Sequence, residues 1–295
     1  MRSEDDSSGF QTQTRLRAML GEAGLVPRKR HGQHFLVDRN LMMKLVDCAE
    51  IGRGDCVLEV GAGTGSLTAL LAVRAGRVVT VEIDEGLAEL ARANLAAFDN
   101  VRLLRVDALA RKSEVAASVV AAVEEARSKC DGPLKLAANL PYDIATPLVI
   151  DLLLSDMGFS RLCFTVQAEV ADRFLAKVGT ADYGPVGIIT RLLAAGRKIA
   201  RVPPQAFWPV PKVHSVLVRL DRRLDNEIEV DEPAAFAGFV KSFFLHRRKT
   251  MSHLARQRPD AEMCIAALEQ GGIALDARPE AVHFEQWIGL FRAIG

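Results

Sequence analysis

The sequence has few cysteines and none in a pattern: Cys48, Cys56, Cys130, Cys163 and Cys264 are odd in number, scattered, and form no CxxC. A disulfide framework or a zinc ribbon is therefore excluded as the source of stability, and no metal site is expected. No apolar run approaches the roughly 18 residues that span a bilayer. The polar start MRSEDDSSGF has no secretory character. Reduced thiols, no membrane contact and a cytoplasmic location are the expectation. Two phosphate signatures are also missing. The glycine loop EVGAGTG (59–65) is followed by Ser66 where a dinucleotide fingerprint carries its last Gly or Ala, and no GK[ST] ending is present. Pyrophosphate and triphosphate ligands are disfavoured.

What is present is a 295-residue chain, 49% hydrophobic, long enough for one large core and a smaller second unit. Short β-branched apolar runs (56–60, 77–83, 101–107, 134–139, 161–167) alternate with helical patterns from about Ser66, over 85–97 and near 147–154. That alternation predicts an α/β fold, a doubly wound, mostly parallel sheet covered on both faces. A last strand is expected over 213–220, an acidic linker over 221–231 and a small all-α unit beyond. Residues 1–25 read as a partly disordered, solvated arm with a short amphipathic helix through Leu16, Met19 and Leu20. Residues 26–221 read as the catalytic domain and 222–295 as a helical domain. Asp38 is placed to cap a helix running to Ile51. The net charge of +1 hides a local imbalance: Lys241, Arg247, Arg248, Lys249, Arg256 and Arg258 fall in one stretch with no acid among them.

Ligands in such sheets bind beyond the carboxyl ends of the strands, where Gly61, Glu82, Asp107 and Asn139 are expected. Gly61 and Gly63 allow a tight turn and close backbone approach to a ligand. Glu82, about 20 residues on, is spaced to accept both ribose hydroxyls. Asp107 can accept from an adenine amine. A nucleoside without a phosphate site fits S-adenosylmethionine better than NAD. The tetrad Asn139, Leu140, Pro141 and Tyr142 adds an amide oxygen, a turn carbonyl and a stacking ring, the set that methyl transfer to an adenine N6 requires.

With QAFWPVPKVHS (205–215), RKRHGQHFLVD (28–38), FTVQAEVADR (164–173), FFLHRRKT (243–250) and RPEAVHFEQW (278–287), these motifs resemble the KsgA (RsmA) family of rRNA adenine N6,N6-dimethyltransferases over nearly the whole chain. The resemblance implies that His34 and Leu36 border the cofactor and that Tyr142 and Phe207 sandwich a flipped adenine. It also implies RNA contacts at Arg28, Lys29, Arg30, Arg247, Arg248 and Lys249, with binding that weakens steeply in salt. The implied partner is the small ribosomal subunit and its rRNA, where two adjacent adenosines of the terminal hairpin are methylated; a monomer is expected. An Erm-type large-subunit methyltransferase and a mainly structural assembly factor are the alternatives. His31, Asp143 and the Pro185-Val186 pair depart from the family pattern. Phe164, Trp208 and Trp287 are expected in the core, and Tyr183 has no assigned role.

Overall fold

Strand β1 (Cys56–Val60) is buried at every position, as a strand covered on both faces must be. In the computed structural model, which describes residues 11–27, 33–111 and 114–295, it lies inside a seven-stranded sheet. The other strands are β2 (Arg77–Glu82), β3 (Val101–Arg105), β4 (Leu134–Asn139), β5 (Phe159–Gln167), β6 (Ala194–Val202) and β7 (Ser215–Arg222). Their order is β3-β2-β1-β4-β5-β7-β6. The first five positions are parallel, and β7 runs antiparallel to β5. The chain reverses its direction of winding between β1 and β4. This is where an open α/β sheet leaves a crevice at its carboxyl edge.

Helices α1 (Gln13–Glu22), α2 (Arg39–Cys48), α3 (Ser66–Arg74), α4 (Glu85–Asn94), α5 (Ala117–Arg127) and α6 (Ala145–Leu154) belong to this part of the chain. Asp38 caps α2, its carboxylate accepting from the Leu41 N–H at 3.0 Å. Met42, Leu45 and Val46 of α2 and Leu67 and Leu71 of α3 pack on Val57, Val78, Ala137, Cys163 and Leu217. The alternate strand residues Leu58, Leu136, Leu162, Phe164 and Val218 are equally buried, and α5 and α6 contact the strands. Both faces are thus covered, as the alternating pattern predicted.

Several elements differ from the reading of the sequence. Strand β6 was not expected: at the sheet edge it carries Arg197, Lys198 and Arg201, and its exposed charges leave no apolar alternation to read. Strand β3 stops at Arg105, so Asp107 lies just beyond the strand. The expected linker starts too early, because β7 continues to Arg222. There Asp221 accepts from Arg219 and Arg161, which also bind Glu50 and hold its carboxyl at about 2. The arm from Gln11 onward is no solvated leader: Leu16 and Leu20 are 2% exposed and pack on Leu87.

The chain forms two compact units, one of residues up to Ala171 with Arg197–Arg222, the other of Asp172–Gly196 with Arg223–Gly295. A single cut after residue 221 therefore does not describe the second unit. That unit holds α8 (Pro185–Leu193), α9 (Pro233–Phe244), α10 (Met251–Arg256), α11 (Ala261–Gln270) and α12 (Phe284–Ile294); α7 (Ala168–Phe174) crosses the boundary. Pro185 opens α8 at its first turn, where a missing N–H costs nothing. Tyr183 acquires a role: buried, its hydroxyl donates to the Val282 carbonyl at 3.1 Å. Trp287 is fully buried among Phe243 and Phe244, while Trp208 is half-buried against Phe35.

One buried ion pair ties β4 to the turn that leads into β1. Lys135 Nζ donates to Asp55 Oδ2 at 2.7 Å and to the Glu50 carbonyl at 2.6 Å, with side chains 9% and 8% exposed for Lys135 and Asp55. Removing one partner of a buried pair strands the other charge. Lys135→Met is expected to lower stability by about 3 kcal/mol, read from urea unfolding at neutral pH.

Candidate active site

The carboxyl ends of β1, β2 and β4, with the segment after β3, enclose a cleft lined by His34, Phe35, Gly61, Gly63, Glu82, Asp107 and the Asn139–Tyr142 tetrad. Gly61 has φ +90° and Gly63 φ +57°, both in the left-handed region. A Cβ on Gly61 would meet Pro141 Cδ at 3.3 Å, and one on Gly63 the Phe35 ring at 3.0 Å. Glycine is needed at both positions because the loop touches the tetrad on one side and the His34-Phe35 segment on the other.

Glu82 is 5% exposed. Its Oε2 accepts from the Gly63 N–H at 2.8 Å and its Oε1 from the Asp84 N–H at 2.9 Å. Each oxygen keeps a second lone pair, so the carboxylate is oriented with acceptor capacity for two hydroxyls. Burial raises its pKa, and the backbone N–H groups oppose that rise. Asp107 is exposed; its Oδ1 accepts from the Leu109 N–H at 3.0 Å, which fixes the side chain. A glycine loop open to backbone approach, a held carboxylate and an exposed Asp beside them fit an adenosine and its ribose.

The tetrad is held more firmly than its sequence discloses. Asn139 Nδ2 donates to the His34 carbonyl at 2.9 Å, and Thr165 Oγ1 donates to Asn139 Oδ1 at 2.5 Å. Asn139 and Thr165 are register partners on β4 and β5. The amide therefore has one orientation, with its oxygen retaining a second lone pair. The Ile144 N–H closes a turn on the Pro141 carbonyl at 3.4 Å. Among the described residues the Leu140 carbonyl has no such partner, so it is the turn carbonyl left to accept. Tyr142 is held by Ser215, hydroxyl to hydroxyl at 2.7 Å; burial raises the phenol pKa and the Ser215 bond lowers it. Thr165 and Ser215 were not singled out from the sequence. An isolated hydroxyl in a strand carries no signal until the register places it beside the tetrad.

One expected assignment changes. Phe207 is 1% exposed and lies in the core with Leu36, Met42 and Leu67, so its ring does not face the cleft. Its two-residue strand pairs with the segment Phe35-Leu36, Phe207 opposite Leu36 and Trp208 opposite Phe35. That register turns Phe207 inward. The ring stacked on Tyr142 is His34, with centroids 5.4 Å apart and Nδ1 against the Pro209 carbonyl at 2.7 Å. Leu36 is buried and borders Gly61 and Gly63 from a smaller adjoining cleft. Asp143, a departure from the family pattern, is exposed at the rim of the main cleft.

Arg28, Lys29 and Arg30 lie outside the described residues. In the second unit Arg247 donates to the Ala181 carbonyl at 2.8 Å and approaches Glu280 at 3.5 Å. Arg258 lies over the Phe239 and Phe243 rings and bonds Asp260. These two cations support the fold of that unit. Lys241, Arg248, Lys249 and Arg256 are exposed.

The fold and cleft define an S-adenosylmethionine-dependent methyltransferase of the doubly wound class. The chain belongs to the ribosomal RNA adenine dimethylase family, whose model matches residues 25–294. A Ribosomal RNA small subunit methyltransferase A from Moorella thermoacetica is 36% identical over 284 residues, covering 96% of this chain and 98% of the relative. The protein of the same name from Levilactobacillus brevis is 37% identical, with 95% and 94% covered. A dimethyladenosine transferase from Plasmodium falciparum shares the fold at TM-score 0.70 and 24% identity, over 87% of this chain and 96% of that one. The 23S rRNA methyltransferase ErmE does so at 0.62 and 27%, over 88% and 99%.

Two outcomes follow from these hydrogen bonds. Thr165→Val, nearly isosteric, should lower kcat about tenfold by releasing the Asn139 amide while leaving S-adenosylmethionine affinity unchanged; Thr165→Ser should retain activity. Glu59, fully buried, accepts from Thr68 and Thr80 hydroxyls at 2.5 and 2.6 Å. Burial pushes its carboxyl up to about 7; the two hydroxyls oppose the rise and the neighbouring Glu82 adds to it. A carboxyl raised in the folded state contributes stability that is complete below its unfolded value of 4.5 and lost as pH passes about 7. Urea unfolding of the parent, compared with Glu59→Gln, should show a relative loss of about 3 kcal/mol between pH 4.5 and 8.

Proposed function

We propose that this chain transfers methyl groups from S-adenosylmethionine to N6 of two adjacent adenosines in the 3′-terminal hairpin of small-subunit rRNA, dimethylating each. Family membership gives the class of reaction, rRNA adenine methylation. The names of the relatives support the small subunit as target. The observation that carries the mechanism is the fixed Asn139 amide at the cleft: Nδ2 is committed to the His34 carbonyl, and Thr165 takes only one lone pair of Oδ1.

When bound, S-adenosylmethionine supplies an electrophilic sulfonium methyl. Glu82 orients toward ribose hydroxyls and Asp107 toward a ring amine. The substrate amine is a poor nucleophile because its lone pair is delocalised into the base. Asn139 Oδ1 and the Leu140 carbonyl are placed to accept its N–H bonds, which favours a pyramidal nitrogen with the lone pair withdrawn from the ring. That lone pair would take the methyl as the sulfonium leaves as a neutral thioether, and the proton of the new ammonium would pass to water. No strong base is required, since positioning carries most of the acceleration. Tyr142 offers one stacking face for the extruded base, worth roughly 1–3 kcal/mol. The exposed Lys241, Arg248, Lys249 and Arg256, with Arg28, Lys29 and Arg30 of the arm, are the proposed phosphate contacts. Action as a monomer in the cytoplasm completes this reading; no helix among the described residues is long and apolar enough to cross a membrane.

The test is transfer of labelled methyl to unmodified small subunits, large subunits and naked rRNA, followed by nucleoside analysis. N6,N6-dimethyladenosine is expected with small subunits alone, and Asn139→Ala should abolish it. Label on large-subunit RNA would instead assign the Erm-type activity, and tight small-subunit binding with no label would assign a structural role.

A further inference from the structure

The glycine loop is buttressed by a residue distant in sequence. Gln11 is 5% exposed, and its amide pairs reciprocally with Thr64. Nε2 donates to the Thr64 carbonyl at 3.3 Å, and Thr64 Oγ1 donates to Gln11 Oε1 at 2.5 Å. The Gln11 N–H adds a bond to Ser66 Oγ at 3.2 Å. Thr64 stands between Gly63 and Gly65, both with positive φ. Such a glycine-rich turn has much conformational freedom to lose on ordering. The Gly63 N–H in turn orients the Glu82 carboxylate. A route through four residues, Gln11, Thr64, Gly63 and Glu82, therefore ends at the carboxylate assigned to the ribose.

The rest of the arm packs behind residues that line the same cleft. Thr12 caps α1 by accepting from the Arg15 N–H. Leu16 and Leu20 pack on Leu87, which itself lines the cleft, with Phe35 and Trp208 against the same cluster. Arg17 lies over the Trp208 ring at 5.2 Å. The arm thus supports Leu87 and Phe35, two residues of the cofactor cleft, from behind.

We propose that Gln11 is a positioning residue for S-adenosylmethionine, holding the glycine loop in its ligand-ready conformation before the cofactor arrives. Preorganisation of this kind raises affinity by removing the cost of ordering the loop on binding. It acts on cofactor binding and leaves the Asn139 end of the site untouched. The inference rests on the assignment of the cleft to S-adenosylmethionine.

The experiment measures binding of S-adenosylhomocysteine to the full-length protein by calorimetry, with melting temperature and amide exchange of the apo protein alongside. Gln11→Ala and Thr64→Val should each weaken binding about 5- to 20-fold. The double variant should be no weaker than Gln11→Ala, because that change alone already removes the bond made by the Thr64 hydroxyl. Thr64→Ser should restore binding to within about twofold. Melting should move by less than about 2 °C, with faster exchange confined to residues 61–66. Parental affinity in both Gln11→Ala and Thr64→Val would overturn the proposal. So would a joint fall of affinity and melting temperature with faster exchange throughout the first unit, which would make Gln11 a general structural contact. If the parent itself fails to bind S-adenosylhomocysteine, the cofactor assignment fails instead.

Discussion

The site depends on one adjacency: β1 and β4 lie side by side as parallel strands whose chain connections leave in opposite directions. That reversal brings the turn after β1 and the turn after β4 together with no element between them. The contact is close enough that Pro141 would crowd a side chain at Gly61. The glycine loop and the Asn139–Tyr142 turn therefore share a wall. The distance between reactants is set by a sheet buried on both faces, which is stiffer than any loop. The ion pair of Lys135 with Asp55 fastens the other end of the same two strands, where a shift in register would move both turns at once.

Polar groups in this sheet serve geometry in graded ways. Asn139 is bonded on both sides of its amide yet its oxygen keeps a second lone pair, so it is rigid and still able to accept. Glu82 follows the same rule, each oxygen bonded once. Glu59 sits deeper, with both hydroxyl partners on a single oxygen, and its protonation belongs to the stability of the fold. In the second unit Arg247 and Arg258 are consumed by local contacts. A count of basic residues in that stretch therefore overstates the charge available to a polyanion.

Much of this was legible because the motifs are punctuation as much as chemistry. The glycine loop marks a strand end, Glu82 and Asn139 mark two more, and alternating apolar runs give the sheet between them. Asp38 announced its helix by its position before an apolar repeat. What escaped reading depends on register or on tertiary contact. Thr165 matters because it stands opposite Asn139, and Ser215 because its strand returns antiparallel beside β5. Phe207 was assigned by resemblance to the cleft, but pairing with Leu36 turns its ring into the core. Gln11 lies in a polar stretch indistinguishable from a solvated leader until its burial is seen. Strand β6, charged and at an edge, hides for the same reason that it avoids aggregation.

The position of β7 between β5 and β6 has a consequence for how the protein is made. Synthesis proceeds from the amino end, so β6 leaves the ribosome before β7, the strand that must lie between it and β5. The growing sheet can add β1 to β5 in turn, but β6 must wait unpaired until the chain doubles back. Ser215, which anchors the Tyr142 hydroxyl, opens that late strand. The side of the cleft that Tyr142 lines is thus secured late, when the last strand brings Ser215 to its hydroxyl.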